Sequence, residues 1–140
     1  MNAVAAVAVA VTFGWLGMVL AISFIEAPLK FRAPGVTVPI GLGIGRLVFR
    51  VLNLVELCCA AVVVIMIIID RPSVPAFVGT VVAVVLLLVQ VLAVRPRLSR
   101  RSDAVLAGED GPRSRAHLVY VGAELIKVAG LLVGGIALLS

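Results

Sequence analysis

Charge is scarce in this chain, at 14% of its 140 residues, and so are aromatic side chains, at 5%. Soluble domains carry about 25% charged residues, so an ordinary soluble enzyme or a disordered polar tail is excluded. Histidine occurs once, as His117, and cysteine twice, as the adjacent Cys58 and Cys59. A single histidine gives neither bis-histidine haem ligation nor a two-histidine zinc motif. Adjacent cysteines lack the C-x-x-C spacing of redox and zinc sites, and buried free cysteines act as small packing residues. The glycines of Gly41-Leu-Gly-Ile-Gly45 lack the G-x-G-x-x-G spacing of a nucleotide cradle. They read as a hinge or a close-approach surface. No Ser-His-Asp set or nucleophile elbow is visible, so no enzyme, cofactor or metal is expected.

Apolar residues are what the chain has, at 63%, with a mean hydropathy of +1.26. Runs of about 18 or more apolar residues read as membrane-spanning helices. Four occur, predicting an all-α integral membrane four-helix bundle with helices at about 3–25, 46–69, 76–94 and 116–139. The first lacks a basic leader and exceeds a signal-peptide core, so it reads as a retained span. Pro72 and Pro75 close a tight turn that makes spans two and three antiparallel neighbours. The longer connections are 26–45, where Pro28, Pro34 and Pro39 forbid one continuous helix, and 95–115.

Charge sets direction. Of twelve Lys and Arg, ten flank these two connections: Lys30, Arg32, Arg46, Arg50, Arg95, Arg97, Arg100, Arg101, Arg113 and Arg115. The positive-inside rule places both connections in the cytoplasm and both termini on the non-cytoplasmic side. The net charge of +5 then implies contact with anionic lipid headgroups, and no nucleic-acid-reading module accompanies it. Ten of the twelve cations are Arg, and Ala, Val and Gly are abundant, a composition that suits a GC-rich bacterial genome and so places the chain in a bacterial inner membrane.

Charged side chains near the bilayer centre are costly, so Glu56, Glu124 and Lys127 demand partners. In span four His117, Tyr120, Glu124 and Lys127 share one helical stripe; in span two Arg46, Arg50, Asn53 and Glu56 do the same. Counting inward from the same side puts Glu56, Glu124 and Lys127 at one depth, so the stripes should face each other. The predicted polar network is Arg50, Asn53, Glu56, Tyr120, Glu124 and Lys127, with Gln90, His117 and Glu26 as secondary members. Lys127 would pair with Glu56 or Glu124, and Arg50 would offset the remaining carboxylate. Such a network fixes helix register. Alternatively, a carboxylate in it carries protons in a small-solute transporter, or pairs with another protein. A membrane redox helper using Cys58 and Cys59 is a further alternative. Ala6, Ala10 and Gly14, and the G-x-x-x-G of Gly130 and Gly134, are helix-packing faces for this chain or for a second copy. Mid-span Trp15 reads as a packing residue. The role favoured on these grounds is non-enzymatic, as a homo-oligomer or as an accessory subunit of a larger membrane partner.

Gly17-Met18, Phe24-Ile-Glu26-Ala27-Pro28, Phe31 and Arg46-Leu-Val-Phe49 with Asn53 resemble a four-span membrane family of unknown function typified by transmembrane protein 205. That family has a glycine-rich first span ending in a Phe-x-x-Ala-Pro-like motif and a Phe-containing second span. Asn53-Leu-Val-Glu56 is similar to the second span of DoxX-like four-helix proteins. The chain departs from the family pattern at Glu26 and in its charged last span. The resemblance covers the first 60 or so residues and implies a fold, not a reaction.

Overall fold

The computed structural model describes residues 1–96, 100 and 115–140, with side chains from Leu118 onward in the last stretch. Most of the expected 95–115 connection, and the side chain of His117, lie outside the described residues. The described residues are helical almost throughout. Helix α1 spans Ala3–Val19 and continues through a π-helical segment, Leu20–Glu26, and two short turns to Arg32. Helix α2 is Val38–Ile69, α3 is Val74–Val89 with a π-helical extension Gln90–Val94, and α4 is Arg115–Leu139. Four of these helical stretches are long and apolar enough to cross a membrane.

The first connection is much shorter than the expected 26–45. Pro28 removes one N–H and would drive its ring into the carbonyl four residues back. The wider turn before it, where the Ala27 N–H donates to the Ile22 carbonyl, displaces that carbonyl row, and the helix passes through. The second helix starts at Val38 rather than near Arg46. The Thr37 hydroxyl caps it by accepting the Ile40 N–H at 3.4 Å, and Pro39 sits in its first turn. What remains is residues 33–37, turned by Gly35 at φ +82°, a left-handed conformation that favours glycine. Gly41 and Gly45 are helical and mark a close approach, since a side chain at Gly41 would run into the Phe31 ring and one at Gly45 would meet the Lys30 ammonium.

At the opposite end Asn2 does two jobs. Its Oδ1 accepts the Ala5 N–H at 2.8 Å, and its Nδ2 donates to Asp70 Oδ2 at 2.8 Å. The start of α1 is thereby tied to the end of α2.

The core is Trp15, Leu16 and Val19 of α1, Ala60 of α2, Ala83 and Leu87 of α3, and Leu131 of α4. Large apolar side chains such as Leu47, Leu54, Leu92 and Ile136 face outward, as lipid contact requires. The most extensive contact joins α3 to α4; α2 and α3, although joined by a tight turn, touch much less. The cause is glycine. A Cβ at Gly79 would lie 2.6 Å from the Gly134 nitrogen and 2.7 Å from the Gly130 oxygen. The G-x-x-x-G of α4 is therefore used within the chain, with Gly79 as its counterpart.

Candidate functional site

All four helices contribute to one buried polar cluster. At 1.5 Å per residue, Trp15, Glu56, Gln90 and Lys127 lie about 18–24 Å from the end of the bundle that holds both termini. That is inside a hydrocarbon core of about 30 Å. Trp15, Glu56, Gln90 and Lys127 are 0% exposed and Glu124 is 1% exposed.

Lys127 is the hub. Its ammonium donates to Glu56 Oε1 at 2.5 Å and to Gln90 Oε1 at 2.8 Å, and it forms an ion pair with Glu124 Oε1 at 2.6 Å. The remaining groups extend the cluster. Glu56 Oε1 also accepts the Trp15 indole N–H at 2.9 Å. Glu124 Oε2 accepts the Ser23 hydroxyl at 3.3 Å, and the Gln90 amide donates to the Tyr120 carbonyl at 3.3 Å. With its amide oriented to satisfy both neighbours, Asn53 donates to Glu56 Oε2 at 3.1 Å and accepts from Arg95 Nε at 3.2 Å.

Arg95 brings a positive charge to the edge of the cluster. Two carboxylates and one ammonium leave one formal negative charge, and the guanidinium faces it through Asn53. It also lies 4.8 Å from the Tyr120 ring centroid and 5.1 Å from that of Phe49, two rings packed edge to face. Cation–π contact of this kind holds a cation at a half-dry position.

The structure thus brings together Asn53, Glu56, Tyr120, Glu124 and Lys127, with Gln90 at the centre rather than in a secondary place. It does not bring in Arg50, which is exposed; the guanidinium that reaches the cluster is that of Arg95, one residue past the extension of α3, through Asn53. Glu26 is half-buried and lies 3.8 Å from Lys30, apart from the cluster. Sequence reasoning missed Trp15, Ser23 and Arg95. For Trp15 a signal existed, because a mid-span indole N–H needs an acceptor.

Both π-helical segments touch the cluster. Ser23 lies within Leu20–Glu26, and Gln90 opens Gln90–Val94. Such segments are rare and concentrate at functional positions. Of the vicinal cysteines, expected as buried packing residues, Cys59 is half-buried against the core, but Cys58 is exposed because it lies on the outward face of α2. Among the described residues no group of three or more His, Cys, Asp and Glu is placed to hold a metal ion.

Trp15→Phe keeps an aromatic ring and deletes the donor to Glu56. It is expected to lower stability by about 1–3 kcal/mol, read from reversible unfolding in bicelles. A variant as stable as the parent would show that the indole bond contributes nothing.

Comparison with known protein families, with curated proteins and with solved structures returns no match to this chain.

Proposed function

We propose that the chain is a non-enzymatic helical module of a bacterial inner membrane, working as an oligomer or as an accessory subunit of a larger membrane complex. Its basic connections lie in the cytoplasm against anionic headgroups, and both termini lie outside. The observation that carries this reading is that Glu56, Glu124 and Lys127 engage one another at near-zero exposure. Joined to Trp15 of α1 and Gln90 of α3, this pairing fixes the register of four helices, which suits a rigid unit presented to a partner.

The test is the mass and composition of the particle extracted in native lipid from its own host. The expected result is a multiple of 14.5 kDa, or a stoichiometric larger protein alongside it. A particle holding one copy of this chain and lipid alone overturns the proposal.

Proton-linked transfer of a small solute is the second reading, favoured by the two π-helical segments at the cluster. It requires Glu56→Gln or Glu124→Gln to abolish proton-coupled flux in vesicles while expression is unchanged. Parental flux in both variants removes it. A redox role for Cys58 and Cys59 has no such support, and a double Cys→Ser variant is expected to behave like the parent.

A further inference from the structure

The glycine contact that draws α3 onto α4 has an effect on the other side of α3. It leaves α2 and α3 splayed, and between them lies a groove of about 390 Å³. Val64 and Ile68 of α2, with Phe77, Val81 and Val85 of α3, line it, and Arg71 stands at its mouth in the tight turn. From Phe77 to Val85 the groove wall runs about 12 Å along the helix. Apart from Thr80 the wall is apolar, and its outward side is open to the surroundings, with Phe77, Val81 and Val85 all exposed.

Arg71 is the cation that stands apart from the ten at the other end of the bundle. It is exposed, and among the described residues it forms no ion pair. The neighbouring Asp70 is engaged by the Asn2 amide instead. A guanidinium is a forked donor matched to phosphate oxygens. Here it sits at interface height directly above an apolar slot that no other part of the described chain fills.

We propose that this groove binds one anionic phospholipid, with an acyl chain between α2 and α3 and the phosphate held by Arg71. The inference rests on the chain spanning a membrane, and holds for either orientation and any oligomeric state. The lipid then fills the gap that the α3–α4 contact creates, and acts as a wedge that sets the spacing of α2 and α3.

The test uses the full chain in vesicles doped with phosphatidylglycerol carrying a photoreactive acyl chain, or with phosphatidylcholine carrying the same chain. After irradiation, adducts are mapped by peptide. The groove stretch 77–85 is expected to label more strongly from phosphatidylglycerol, by about fivefold for one interfacial arginine. Arg71→Gln should abolish that excess while labelling at the Arg-rich end of the bundle stays the same, an internal control for folding and for total anionic lipid. Val81→Trp, at an exposed groove position, should reduce groove labelling from both lipids. Equal labelling from the two lipids in the parent, or an excess that survives Arg71→Gln, overturns the proposal. So does a chain-to-chain cross-link through the groove, which would assign it to a second copy. Loss of labelling at every apolar helix face would instead show that the chain does not span the membrane.

Discussion

Replacing Lys127 by methionine should lower the stability of the folded bundle by about 3–5 kcal/mol, the range for removing one partner of a buried ion pair. Methionine preserves most of the length and apolar contact, so the loss is of charge and of three donors. Glu56 and Glu124 would then lie in a dry interior facing the same vacated position. Trp15, Asn53 and Ser23 would still donate to them, but neutral donors do not balance two carboxylates. Adding Glu56→Gln and Glu124→Gln to Lys127→Met should restore most of the loss, because a neutral polar cluster has far less desolvation to offset. Reversible unfolding in bicelles reads both effects. A single variant within error of the parent contradicts the hub role of Lys127.

Gly79→Ala is the second large effect, expected at about 1–3 kcal/mol or more. The added methyl would meet the Gly134 nitrogen at 2.6 Å, the Gly130 oxygen at 2.7 Å and the Gly134 Cα at 2.9 Å. All three are backbone atoms, so no rotamer change relieves the clash and the helices must separate. Separation also moves Gln90, on the same helix, away from Lys127. Gly14→Ala and Gly17→Ala are the controls, since a Cβ at either meets nothing within 4 Å. In a helix interior alanine is favoured over glycine, so these should be neutral or mildly stabilising. If Gly79→Ala behaves like its controls, the close α3–α4 approach is wrong.

The four spans were legible because long apolar runs admit one reading in a bilayer. The joint depth of Glu56, Glu124 and Lys127 was legible because helical period and rise are fixed. The extent of the first connection was not. Prolines at 28 and 39 look like breaks, yet one comes after a π-helical turn and the other occupies a first turn where its missing N–H does no harm. The place of Arg95 in the cluster was not legible either, for a related reason. A π-helical insertion such as Gln90–Val94 shifts the helical phase beyond it by roughly one residue, about 100°. Arg95 therefore reaches Asn53 from a position that a uniform 3.6-residue period does not mark. The G-x-x-x-G of α4 could have served this chain or a second copy, and only its partner Gly79 decides between them.

Glu56 and Lys127 form a pair inside one chain, and the four-helix cluster is built around that pair. A double-mutant cycle with Glu56→Gln and Lys127→Met, read by reversible unfolding in bicelles, tests it most directly. The double variant is expected to be less damaged than the sum of the singles, with a coupling of about 0.5–3 kcal/mol. Strict additivity would mean that the two side chains do not meet, and would contradict the pairing.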